Sequence, residues 1–451
     1  MNITGARDED GLIKKSLRYS VFDGSCHAAM LGFGESYLSV FAVFLKANNI
    51  QLALISSLPV FIGSIAQILS SMFLRLLKTR KTLVSSAAFM QAIMYIPIAL
   101  TFFVRESGVN LLIFIVCIYW IFGMILSPAW NSWMGDLVDE RIRGDYFGRR
   151  SKVTGSATFA ATLIAGFILH RFTDGDSAQY IGFVLIFLLA MAARMLSSFF
   201  LTKKYEPPYA VALKRESGLF EFIKGARFSN YGRLVLYLCF MNFSVYLSVP
   251  FFVPYMLRDL SLDYMTFTFV ISTAAVAKFV SMPVWGKASD RYGTRKILSL
   301  CGLLMPSVPL LWVFSGNVYY LLLIQVYSGF VWAGFDLAAF NFIYDTTTPQ
   351  NRMSGVEYYN VLNGLCIFAG SIIGGLMVRY NDLFWSKYLF VFIISFILRY
   401  AATFVFIPKL KEVRTVERIP YAKLFFKIVS TVPTFGVVYD LIPFRSQRKN
   451  K

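Results

Sequence analysis

The chain has 451 residues, of which 57% are hydrophobic, 17% aromatic and 15% charged, and its mean hydropathy is +0.59. Soluble domains carry nearer a quarter of charged residues, so this composition excludes an ordinary soluble enzyme or binding module and indicates a polytopic membrane protein. A formal charge of +19 would suggest nucleic acid as a partner of a soluble chain, but in a membrane protein it reflects basic cytoplasmic loops, and no nucleic acid is expected.

The N-terminal stretch from Met1 to Arg18 is polar, and no small-residue cleavage site follows the first apolar segment, which is therefore expected to stay in the mature protein. Crossing the hydrocarbon core as helix takes about 20 apolar residues. Twelve stretches qualify: 19–45, 52–74, 82–104, 111–133, 153–170, 180–202, 233–257, 263–285, 297–315, 318–344, 356–378 and 388–407. With the N-terminus inside, about 35 of the 44 Lys and Arg fall on the cytoplasmic side and about six outside. That bias predicts an all-α protein with both termini cytoplasmic.

The first span carries Asp23, His27 and Glu35. At about 100° per residue they share an arc of roughly 120°, so one helix face presents all three to a bundle interior. Ionisable groups in the membrane are costly and ask for a reason. Glu35 falls near the bilayer middle and is the sharper candidate for carrying a proton or contacting substrate, while neighbouring Gly32 and Gly34 also allow a purely structural hydrogen bond to a close-packed helix. Pro128 to Lys152 forms a charged knot between the fourth and fifth spans, where Asp136, Arg141, Arg143 and Gly144 offer cytoplasmic gate contacts, with a solvated surface loop as the plain alternative. Arg194 and Arg399 lie near enough to the inner surface to snorkel. Lys278 and Asp336 sit at similar depths in the eighth and tenth spans, placed to pair or to hold an ionic substrate.

The chain repeats itself. Tyr37-Leu38-Ser39-Val40 returns as Tyr246-Leu247-Ser248-Val249, and the knot returns as Asn341, Asp345, Arg352 and Gly355 at nearly the same offset. The repeat divides the chain into a six-span bundle (1–202), a cytoplasmic linker (203–232), a second six-span bundle (233–408) and a basic cytoplasmic tail (409–451), whose apolar part is interrupted by prolines and suits the inner leaflet better than a thirteenth span. Five cysteines fall inside apolar segments without ligand or pairing spacing; no metal, disulfide or cofactor is expected.

Between the eighth and ninth spans runs Gly286-Lys-Ala-Ser-Asp290-Arg291-Tyr-Gly293-Thr-Arg295-Lys296. This stretch resembles the loop motif of the major facilitator superfamily, Gly-x-x-x-Asp-Arg-x-Gly-Arg-Arg, and with twelve spans in two halves the resemblance covers nearly the whole chain. It implies a twelve-helix fold of two bundles in which Asp290 and Arg291 latch the outward-facing state, and a first-span acid, here Glu35, coupling protons to substrate. The loop between the second and third spans, Arg75 to Lys81, lacks the glycines and aspartate of that motif, so the knot is expected to take over its work. The Gly- and Pro-rich stretch of some family exchangers is missing from the fifth span, with no proline between Gly155 and His170.

The expectation is a secondary transporter in the plasma (inner) membrane, a monomer that moves a small-molecule substrate by alternating access with protons. No phosphate-cradling Gly-x-x-x-x-Gly-Lys motif is present, and with only His27 and His170 no nucleophile and base stand at usable spacing, so an enzyme is not expected. The alternative is a non-transporting member of the fold that acts as a membrane sensor or assembly protein.

Overall fold

A computed structural model describes residues 3–104, 107–139, 142–207, 219–347, 349–381, 386–414, 416–417, 420–421 and 423–424. Arg141 lies outside these residues, as do residues 208–218 of the linker and the end of the tail; Arg143, Gly144 and Arg352 are described by their backbone alone.

The first half comprises α1 (Ile3–Phe33), α2 (Leu38–Phe44), α3 (Asn49–Gln67), α4 (Ser70–Leu77), α5 (Arg80–Ile93), α6 (Tyr95–Leu100), α7 (Gly108–Leu137), α8 (Arg143–Arg171) and α9 (Asp176–Thr202). After the short α10 (Leu219–Gly225), the second half comprises α11 (Asn230–Tyr246), α12 (Val249–Pro254), α13 (Tyr264–Tyr292), α14 (Thr294–Leu304), α15 (Ser307–Phe314), α16 (Val318–Thr346), α17 (Pro349–Tyr380) and α18 (Lys387–Phe406). Several membrane passages are thus pairs of helices joined at a break. The breaks in the first passage, at Glu35–Tyr37, and in the seventh, at Leu247–Ser248, fall on the two copies of Tyr-Leu-Ser-Val.

Among the described residues, eleven passages are long and apolar enough to cross a membrane. The first expected span is not among them, because residues 16–33 carry Arg18, Asp23 and His27 and the helix breaks at Gly34 before its apolar outer part. The charged knot is not an extended loop: α7 runs to Leu137 and α8 starts at Arg143. We call the end of the molecule that carries this turn the inner end.

The two halves meet along α3 against α17 and α8 against α13. Burial is distributed unevenly along these seams. One apolar core at the outer end draws on both halves, from Tyr37, Phe41 and Tyr119 to Phe251, Trp312 and Phe392. At the inner end there are two separate cores, one around Trp133 in the first half and one around Trp285 in the second. The buried apolar core common to both halves therefore lies at the outer end, and the stack of Phe61 on Phe368 carries the apolar seam inward from it.

Polar contacts seal the same end. Arg258 donates from Nη2 to the Ala47 carbonyl at 2.7 Å, Tyr388 Oη to Asn49 Oδ1 at 3.3 Å, and Tyr37 Oη lies 2.8 Å from Thr268 Oγ1. His170 Nδ1 stands 3.3 Å from Asp263 Oδ2, with both side chains about half exposed. Burial alone would raise the Asp263 pKa, but hydrogen bonds from Thr266 and Met265, with a smaller contribution from His170, hold it below the usual range. Asp263 is thus held as the carboxylate, the acceptor that faces His170 across the seam. Replacing His170 by Gln should therefore loosen the outer seal by a few tenths of a kcal/mol, as expected for an exposed pair. Labelling of a cysteine introduced at Ala47 should quicken accordingly; an unchanged labelling rate in the His170→Gln variant would remove the pair from the seal.

Candidate translocation cavity and its charged groups

Where the inner cores part, a cavity of about 690 Å³ lies between the halves, lined from one side by Gln67, Asn131 and Phe147 and from the other by Tyr344, Glu357 and Asn360. Asn360 donates to Gln67 Oε1 at 3.1 Å across its floor. Lys278 and Asp336 form an ion pair at 2.6 Å, each side chain more than a third exposed, so the pairing expected from their depth is present.

Glu35 occupies the 3-10 turn between α1 and α2. The hydroxyl of Tyr119 donates to its Oε2 at 3.0 Å and also lies 2.9 Å from Met30 Sδ, so one proton serves either acceptor. Tyr95 Oη stands 3.3 Å from Tyr119 Oη. The sequence placed Glu35 with Asp23 and His27; the structure separates them. Asp23 and His27 line a second cavity of about 320 Å³ inside the first half, and Asn131 lines both cavities.

The arginines do not snorkel. Arg194 is 3% exposed and donates to Gln91 Oε1 at 2.8 Å and Ser197 Oγ at 3.0 Å; Ser197 in turn donates to Asp23 Oδ1 at 2.8 Å. Arg399 is 2% exposed and bonds Ser395, Ser248 and the Val245 carbonyl. A guanidinium with five donors is satisfied more completely by these inward acceptors than its position near the helix end suggested.

The inner ends carry two related charge networks. In the second half the Gly286 to Lys296 stretch folds as the end of α13 and the start of α14. Gly293 makes the turn between them with φ +95°, a conformation that strains any side-chain-bearing residue. Gly286 faces Leu337, and Lys296 Nζ lies 5.8 Å from the Tyr421 ring centre. Asp345 accepts Arg414 in a fork, 2.8 and 3.0 Å, while Arg414 also reaches Asp290 at 3.1 Å and Arg291 meets Glu417 at 3.0 Å. Glu412 accepts the backbone N–H of Arg295 at 2.9 Å, where a helix N-terminus favours an anion. Asp290 and Arg291 are thus bound by the tail of their own half, with no described partner across the cavity.

The first half repeats this arrangement with different residues. Arg80, fully buried, pairs with Asp136 at 2.5 Å and with Glu206 at 3.3 Å, and Glu206 accepts the backbone N–H of Arg80 and Lys81. The loop from Arg75 to Lys81, poor in motif residues, therefore still anchors three elements. What marks it in the sequence is the register of the acids that cap it, Glu206 after α9 and Glu412 after α18. Because Arg80 is wholly buried and Asp136 half exposed, Arg80→Ala should cost about 2 kcal/mol of stability and Asp136→Asn clearly less. Thermal unfolding in detergent measures this; equal losses would contradict the asymmetry in burial.

With this geometry established, comparison with known proteins identifies the architecture. Residues 234–439 match the model of the Major Facilitator Superfamily. A D-xylose-proton symporter superposes with a TM-score of 0.69 at 14% identity, covering 90% of this chain and 99% of that one. The chain carries the major facilitator fold. A nucleoside transporter (TM-score 0.62, 14% identity, 89% and 99% coverage) and an inward-facing bacterial homologue of the lysosomal transporter Spinster (0.60, 13%, 89% and 98%) share it. By sequence, solute carrier family 22 member 18 of Mus musculus is 30% identical over 141 residues, 30% of this chain and 32% of that protein, and solute carrier family 67 member A1 of Homo sapiens is 29% identical over 143 residues, 31% and 32%. The chain thus spans about a third of the length of these curated relatives. In major facilitator terms the outer end is closed and the inner end open.

Proposed function

We propose that this major facilitator chain is a secondary transporter that moves a small solute by alternating access, with the cavity between the halves as its inward-open substrate chamber. The observation that carries the reading is the division of the core: shared by both halves outside, separate inside, with polar groups of both halves facing the gap. A hinged pair of rigid bodies needs this arrangement, because packed interfaces switch between discrete arrangements and do not stretch. Under this reading the broken helix α1–α2 is the twelfth span, both termini are cytoplasmic, and the protein works as a monomer in the plasma membrane. Its transported partners are a small molecule and protons. Glu35, with Tyr119 as its hydrogen-bond donor, is the proton carrier, and Lys278 with Asp336 is the polar contact of the second half. Asp290, Arg291, Asp136, Asp345 and Arg352 belong to the inner gate, where the tail now holding Asp290 and Arg291 competes with closure.

Counterflow in proteoliposomes loaded with sugars, nucleosides, organic acids and organic cations tests this reading. Saturable exchange of at least one solute is expected. A purified, folded protein that exchanges none of them favours a sensor or assembly role.

A further inference from the structure

The cavity inside the first half is built from charges that only partly cancel. Arg150 and Arg194 line it with Asp23 and His27. Lys204, just beyond α9 and fully buried, places Nζ 3.7 Å from Asp23 Oδ2 and 4.7 Å from the Trp133 ring centre. Three cationic side chains from α8, α9 and the turn after it thus face a single carboxylate.

Several of these groups are held yet unsatisfied. Arg194 is oriented by Gln91 and Ser197, which use its Nε and Nη1, and Arg150 gives Nε to the Ser20 carbonyl and stacks over Trp130 at 4.7 Å. Lys204 Nζ, Asp23 Oδ2 and His27 Nδ1 are buried without a hydrogen-bond partner. Buried polar atoms are rarely left so; Asp23 and His27 line the cavity and Lys204 stands against Asp23, so the site offers a guest hydrogen-bonding groups that the fold does not use. Burial pushes the Lys204 ammonium down to about 8, which still leaves it charged at neutral pH.

The repeat sharpens the point. Arg399 occupies the place of Arg194 in the second half, but hydroxyls and a carbonyl alone surround it, and Gly232 stands where the first half has Asp23. The first-half cluster is therefore not a requirement of the fold.

Resting on the transporter reading, and deepening it, we propose that this cavity binds the oxyanion group of an anionic solute, a carboxylate or a phosphate, between Arg194 and Arg150, with His27 at its side and Asp23 as the internal counter-charge that the solute displaces, freeing Lys204 behind it to pair with the solute. At about 320 Å³ it admits a small molecule entering from the larger cavity past Asn131.

The test is binding to the purified full chain in detergent by isothermal titration, with inorganic phosphate, acetate and citrate as anions and choline as the cation control. An anion is expected to bind and choline not. Lys204→Gln should weaken the anion roughly tenfold, Lys204→Arg should restore it, and Asp23→Asn should tighten it severalfold. Tightening by Lys204→Gln, weakening by Asp23→Asn in a protein that melts normally, or anion affinities unmoved by either change would overturn the site. Whether phosphate or a carboxylate binds more tightly distinguishes the two chemistries. Counterflow of a cation or neutral solute without anion binding would leave the transporter reading standing and remove this one. Anion binding with no transport of any solute would do the reverse.

Discussion

If Glu35 carries the proton as proposed, a Glu35→Gln variant should lose gradient-driven accumulation, by roughly tenfold or more, while exchange of substrate for substrate persists. Glutamine has the size of glutamate and keeps an oxygen for the Tyr119 hydroxyl 3.0 Å away, so the turn between α1 and α2 should survive. What it removes is the capacity to take up and release a proton. Exchange needs only that the loaded carrier reorient, whereas accumulation needs the proton gradient to bias that reorientation. The measurement is uptake into proteoliposomes with and without an imposed pH gradient, beside counterflow in the same vesicles. Accumulation that keeps its wild-type pH dependence in the variant would assign coupling elsewhere, with Asp336 the next acid to test. Tyr119→Phe separates proton carriage from its hydrogen bond: it should shift the pH dependence without abolishing coupling.

Gly370→Val and Gly374→Val should each destabilise the second half by about 3 kcal/mol, and the double change should prevent folding. A side-chain carbon at Gly370 would stand 2.2 Å from the Phe243 carbonyl oxygen, and one at Gly374 2.2 Å from that of Leu247. Both obstacles are backbone, so no rotamer change relieves them. Both also lie at or beside the break between α11 and α12, whose carbonyls the bare face of α17 accommodates. Thermal unfolding in detergent, with size-exclusion profiles to detect aggregation, measures the loss. A melting temperature within a degree or two of wild type for both single variants would mean that α17 can move outward freely, and that the close approach has no energetic weight.

The bundle was legible in the sequence because the bilayer imposes length and apolarity on each passage, and eleven of the twelve expected spans are present as such. The first eluded that criterion for a physical reason, since the polar residues on it, Asp23, His27 and Glu35, interrupt the apolar run that defines a span. Pairing of Lys278 with Asp336 was also readable, as two opposite charges at one depth have few other options in a membrane. The fate of Arg194 and Arg399 was not. Whether a long side chain turns to the water or to the interior depends on acceptors that other segments bring, Gln91 beside Arg194 and Ser248 with the Val245 carbonyl beside Arg399, and the order of residues along one helix does not reveal them. For the same reason Arg80 and Lys204 read as ordinary loop cations, and only the packing of Asp136, Glu206 and Trp133 around them makes them buried anchors.

The two ends of the molecule are held by forces of opposite solvent response. Apolar burial closes the outer end, and clusters of charge stand at the inner one. Sulfate and other strongly hydrated salts strengthen apolar contacts and screen exposed charges, so at the outer end they reinforce closure and at the inner end they weaken any charge pairing that would close it. Under the alternating-access reading the ionic composition of the medium should therefore act as a conformational effector, with concentrated sulfate expected to shift the population toward the inward-open form and dilute buffer to shift it away.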